Sequence, residues 1–113
     1  MSDSKSNTDP DCRMSQPSYE RVEIVELNPA NALRDYRDAM NLSNRVADDK
    51  LGAHMLLSWY DRDRGFESPQ HSSECHSEST MPGYVDYGLH HGATLKVDVE
   101  SGRFVFFYLA TDF

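Results

Sequence analysis

Residues 93–110, ATLKVDVESGRFVFFYLA, constrain the fold more than any other part of the chain. Leu95, Val97 and Val99 alternate with Thr94, Lys96 and Asp98, the period of a strand with one buried face. Glu100, Ser101 and Gly102 then read as a short hairpin loop, with glycine where a left-handed residue is needed. The return run, 103–110, is apolar at nearly every position, as in strands covered on both faces. Pairing across this loop places Val97 near Val105 and Leu95 near Phe107, a register that one inserted residue would shift. In it Leu95, Val97, Val99, Val105, Phe107 and Leu109 form the core side. Phe104, Phe106 and Tyr108 form a row on the other side, beside Lys96.

The upstream pattern mixes strand and helix periods. Residues 19–27, YERVEIVEL, alternate as a first strand. Asn28 and Pro29 have the chemistry of a helix start, an amide cap followed by the one residue that needs no N–H donor there. Leu33, Tyr36, Ala39, Met40, Val46 and Ala47 continue it at near-helical spacing, predicting a helix over 29–49 with a polar middle at 41–44. Gly52 marks its end. Residues 53–60, AHMLLSWY, form the next strand, with Met55, Leu57 and Trp59 on one face. Residues 83–91 predict a short helix closed by Gly92, and Gly88 weakens it.

These elements predict an α+β domain. Its order is strand, helix, strand, long loop, short helix, strand, strand. A single four-stranded mixed sheet would carry the helices mainly on one face, with the hairpin at its C-terminal end. At 113 residues the chain has the size of one core. Residues 1–18 are rich in Ser, Asp, Asn and Pro and predict a disordered tail before a single domain over 19–113. The polar start lacks the apolar core of a signal peptide, and no run approaches membrane-spanning length, so the expected location is the cytoplasm.

Charge narrows the function classes. A net charge of −8 opposes phosphate backbones and anionic membranes, which argues against nucleic-acid and membrane partners. Alternating rings on a strand can stack bases, but this strand comes without the basic surface that drives such binding. The glycines make neither a dinucleotide fingerprint nor a phosphate-cradling loop. Cys12 and Cys75 lie far apart in polar surroundings and read as free thiols in a reducing compartment.

Three constellations remain. Two readings of the row Phe104, Phe106 and Tyr108, with Lys96 at its side, stand open: a helix or another strand covers the rings, as is usual for continuous apolar runs, or they form a partly exposed aromatic surface that binds a second copy, a protein partner or a flat ligand. His71, Cys75 and His76 in the loop 61–82, with His90 and His91 on the next element, are imidazole and thiolate donors suited to zinc or a similar transition metal. In that alternative the chain is a small metal-dependent protein or enzyme, and His76 beside Cys75 offers a base for a thiol nucleophile. Asp61 and Asp63, two apart after a strand end, are paired carboxylates that suit a hard cation, although Arg62 and Arg64 between and after them make a solvated charge run. No spacing here is specific to one chemistry. The leading expectation is a binding domain that uses its aromatic terminal hairpin.

Overall fold

The computed structural model describes residues 19, 21–69 and 82–111. Seven elements follow in order: β1 (Glu23–Leu27), α1 (Tyr36–Leu51), β2 (His54–Asp61), β3 (Phe66–Ser68), α2 (Gly83–His90), β4 (Leu95–Val99) and β5 (Phe104–Ala110). The strands form one five-stranded mixed sheet in the order β1-β4-β5-β2-β3. β1 runs parallel to β4, and the remaining neighbours are antiparallel. Thus β1, α1 and β2 make a split β-α-β unit, with the terminal hairpin inserted between its two strands.

The fifth strand, β3, lies inside the segment expected to be one loop. Three residues are too few to show a period, so nothing in their pattern announces a strand. Residues 70–81 of that expected loop, with Cys75, lie outside the described residues, as do Cys12 and the expected tail.

The hairpin register differs from the sequence expectation by one residue. Val97 pairs with Phe106, Leu95 with Tyr108 and Val99 with Phe104. The connection spans 100–103, and Glu100, Ser101 and Gly102 all take positive φ. One more loop residue exchanges the two faces of β5, because side chains alternate along a strand. Phe104, Phe106 and Tyr108 therefore join Leu95, Val97 and Val99 in the main core, all with no exposure. Of the two readings of this row the covered one holds: the rings are internal, and the exposed aromatic docking surface is overturned. Val105 and Phe107 turn to the opposite face, beside Val85 and Ala93.

Both faces of the sheet are covered, which corrects the expectation of helices mainly on one side. α1 packs Ala39 and Ala47 onto the Leu95–Tyr108 core, with Tyr36, Met40 and Val46 around them. α2 packs Val85 and Leu89 onto Val105 and Phe107. A bulge at Leu57 changes the phase of β2. Leu56 and Trp59 consequently face α1, while Leu57 and Tyr60 face α2. Among the described residues, no helix is long and apolar enough to cross a membrane.

α1 begins at Tyr36 rather than at Pro29. Asp35 caps it, its carboxylate accepting the Arg37 N–H at 2.9 Å. Residues 28–35 stay irregular because they are tied to the β4–β5 turn. The Leu33 N–H donates to Glu100 Oε2 at 3.4 Å, and the Leu33 carbonyl accepts from Arg103 Nη1 at 3.0 Å. Gly52, with φ of 71°, closes the helix as the sequence predicts.

Candidate functional site

The last position of β2 carries an aspartate on the face covered by α1. Asp61 sits opposite Phe66 on one side and Phe104 on the other. A carboxylate at such a position leaves water behind, and Asp61 is 1% exposed. Burial of this kind is costly unless each oxygen finds a donor. The turn 62–65 supplies one. It folds back with Gly65 in the left-handed region at φ 59° and brings Arg64 over the carboxylate. Arg64 Nε donates to Asp61 Oδ2 at 2.6 Å. Asp61 Oδ1 is buried and has no hydrogen-bond partner among the described residues.

Three rings wall the space above Asp61. Tyr36 opens α1, Trp59 precedes Asp61 by two residues on the same face, and Phe66 lies across on β3. The Arg64 guanidinium carbon is 4.2 Å from the Tyr36 centroid, 4.8 Å from that of Phe66 and 5.9 Å from that of Trp59. The rings support one another: Trp59 stacks with Tyr36 at 5.5 Å and with Phe106 at 5.8 Å, and Phe66 tilts against Trp59 at 5.2 Å. Ring faces are negative, so a cation enclosed by them gains from each. The site is an aromatic cage with a carboxylate floor, and Arg64, 47% exposed at its side chain, is its occupant.

Other ion pairs surround this end of the molecule with their partners matched. Arg103 Nη2 meets Asp63 Oδ2 at 2.6 Å and Nη1 meets Glu100 Oε1 at 2.7 Å. These two carboxylates raise the Arg103 pKa, and Arg103 in turn lowers that of Asp63. Arg34 grips Asp38 through Nε and Nη2, holding that carboxyl down at about 2. Asp61 and Asp63 therefore do not act as a pair, since each is engaged by a different arginine. Two shallow clefts, of about 420 and 700 Å³, flank α1 and share Leu42 and Arg45, away from Asp61.

The other sequence-derived candidates are dispersed. Lys96 lies on the α2 side of the sheet, its Nζ 5.0 Å from the Tyr19 centroid. His90 Nε2 is 3.3 Å from Asp86 Oδ1, and Asp86 is buried. His91 stacks on Tyr87 at 4.0 Å. His71, Cys75 and His76 lie outside the described residues. Among the described residues, no three His, Cys, Asp or Glu side chains gather as a metal group. Asp61 was legible in part: Trp59 and Asp61 are two apart and must share a strand face. Tyr36 joins them only through the packing of α1, which no local pattern reveals.

Comparison with known proteins adds a family and a fold. No curated protein matches the chain. The crystal structure of protein AF1514 from Archeoglobus fulgidus DSM 4304 is similar, with a TM-score of 0.53 and 23% identity over 80% of this chain and 96% of that one. The likeness is one of fold. Residues 22–108, from β1 into β5, match a family described as a domain of unknown function, and the chain belongs to that family, DUF5619.

Proposed function

We propose that this protein is a binding domain and that its recognition site is the cage of Tyr36, Trp59 and Phe66 over Asp61. One observation carries the reading: Asp61 Oδ1 is buried without a hydrogen-bond partner among the described residues. An unsatisfied buried acceptor costs about 1–3 kcal/mol, and more when it is charged. A ligand that brings the missing donor removes that cost, as a water or an ion also can. The walls are aromatic and flat, and one polar group fixes orientation, which is the usual composition of a small recognition site. Ring walls around one carboxylate are recognition features, and the reading is one of binding.

Trp59 is the chain's single tryptophan and stands in the wall, so it reports directly on the site. A screen of small polar compounds by two-dimensional NMR, with Trp59 fluorescence alongside, tests the proposal. Binders are expected to shift the Trp59 indole and the amides of 61–66 together. Binders that shift only α2 residues, or a complete screen that leaves Trp59 unmoved, would overturn it.

A second reading, a metal-dependent protein using His71, Cys75, His76, His90 and His91, is favoured by the Asp86–His90 pair. Carboxylates commonly orient histidine ligands in this way. Calorimetric titration with zinc decides it. Binding by the native chain that His90→Ala abolishes supports the reading, and failure of the native chain to bind zinc ends it.

A further inference from the structure

We infer that the cage over Asp61 recognises a guanidinium group and that Arg64 is a built-in occupant which that group displaces. The inference rests on the reading of the cage as a recognition site and names what it takes. The walls select charge first. Ring faces and a buried carboxylate favour a cation and repel an anion. An anion attracted to the outer side of Arg64 would also leave Asp61 Oδ1 without a donor, so the anionic class fails on the very group that marks the site.

Shape then selects among cations. The Arg64 guanidinium carbon is 4.2 Å from the Tyr36 centroid and 4.8 Å from that of Phe66, close enough for a flat group to lie against a ring. A guanidinium is flat, whereas an ammonium is a compact point charge with tetrahedral donors. The present occupant is itself a guanidinium, so the fit to the rings is already realised at 4.2 Å from Tyr36. Yet Arg64 uses the floor poorly. It reaches Asp61 from three residues away along the chain, and only its Nε donates, to Oδ2. A guanidinium entering from outside can present two parallel N–H groups and satisfy both oxygens in a fork. The external group therefore makes a bond that the internal one does not.

Arg64 can also leave. Its side chain is 47% exposed, and it stands on the 62–65 turn next to Gly65, around which a built Cβ would meet nothing within 4 Å. Released, it would stand in solvent on a chain whose net charge of −8 attracts cationic ligands to begin with. Arg64 acts as an intramolecular competitor that lowers the apparent affinity for the incoming group.

The test uses the full chain and three variants, Arg64→Gln, Asp61→Asn and Phe66→Leu, each first confirmed folded by its thermal melt. Trp59 fluorescence is titrated with N-acetylarginine methylamide and with its citrulline counterpart, which has the same shape without the charge. Arg64→Gln is expected to bind the arginine probe at least about tenfold more tightly than the native chain. The citrulline probe is expected to bind at least about tenfold more weakly, and Asp61→Asn and Phe66→Leu each to weaken the arginine probe. If Asp61→Asn does not fold, Phe66→Leu decides the point. Arg64→Gln binding no better than the native chain, or citrulline matching arginine, would overturn the inference. Methylguanidinium and a Gly-Arg-Gly peptide separate two sources of the same chemistry: equal affinity assigns a free small molecule, and a tighter peptide assigns an arginine of a partner chain. A screen that finds neutral or anionic binders at Trp59 while the arginine probe fails removes this inference and leaves the recognition site standing. A silent Trp59 removes both.

Discussion

The Tyr108 hydroxyl carries the strongest test at the scale of one residue. It rises from the central strand β5 into α1, donates to Asn44 Oδ1 at 2.7 Å and lies 2.9 Å from Ser43 Oγ. Ser43 has no exposure, so it has no water to turn to when this partner goes. Tyr108→Phe is expected to cost about 1–3 kcal/mol, the range for leaving buried polar groups unpaired, read by urea unfolding. The same burial pushes the Tyr108 phenol up to about 12, and burial likewise pushes Tyr84 up to about 12. In the unfolded chain a tyrosine ionises near pH ~10. The folded state thus holds these two protons more tightly. Their contribution is complete below about pH 10 and is lost as pH rises from there towards 12. The melting temperature is expected to fall steeply above about pH 10, and less steeply in Tyr108→Phe. Melts across the alkaline range, with tyrosinate absorbance recorded alongside, check this. An alkaline slope identical in the two proteins would contradict the role given to Tyr108.

At the scale of elements, α2 depends on a glycine that its own propensity disfavours. A Cβ built on Gly88 would stand 2.9 Å from Phe107 Cβ and 2.9 Å from its Cγ. These atoms belong to the root of a side chain on the central strand and cannot swing aside. Alanine would favour the helix by up to about 1 kcal/mol. Overpacking costs about 1–3 kcal/mol, and here it wins. Gly88→Ala is expected to lower stability by roughly 1–2 kcal/mol, measured by urea unfolding. Gly88 illustrates what the sequence could and could not convey. Strand and helix periods were readable wherever an element exceeded a few residues, which gave β1, α1, β2, α2, β4 and β5. Registers and boundaries were not, because they depend on contacts distant in sequence. One added residue in the 100–103 connection turned Phe104, Phe106 and Tyr108 inward. The ties from Leu33 to Glu100 and Arg103 overrode the helix-start chemistry of Asn28 and Pro29. The polar middle of α1 at 41–44 had no visible purpose because the partner of Ser43, Tyr108, lies 65 residues away. The cage was hidden for the same reason. Asp61 and Arg64 appeared as one solvated charge run, and only the arrival of Tyr36 from α1 separates the buried carboxylate from the exposed ones.

At the scale of the whole molecule, the order β1-β4-β5-β2-β3 grades stability from the centre outward. β5 is bonded on both sides and covered by a helix on each face. Among the described residues β1 is bonded on one side only, and its partner is remote in the chain: Glu23 pairs with Leu95. Closing that long separation brings its entropic cost late, after the β4–β5 hairpin and the β2–β5 pairing have formed. Beyond the backbone, β1 contributes Val25 and Leu27 to the margin of the core, leaves Ile24 at 48% exposure and is held at Glu23 by the exposed Lys50. Exposed ion pairs of this kind stabilise little. β1 is therefore expected to detach below the global unfolding free energy, as a sub-global opening. Native-state hydrogen exchange should show the β1 amides bonded to β4 exchanging fastest among the long strands, with a shallow dependence on denaturant. The amides of Val105, Phe106 and Phe107 should exchange slowest, at the global free energy and with the full denaturant slope. Lys50→Ala should leave that order intact, because backbone pairing rather than the ion pair sets it. If β1 and β5 exchanged with one free energy and one slope, the sheet would open as a single unit. The parallel edge would then have to be counted in the core, and the entropic argument from its distance in sequence would fail.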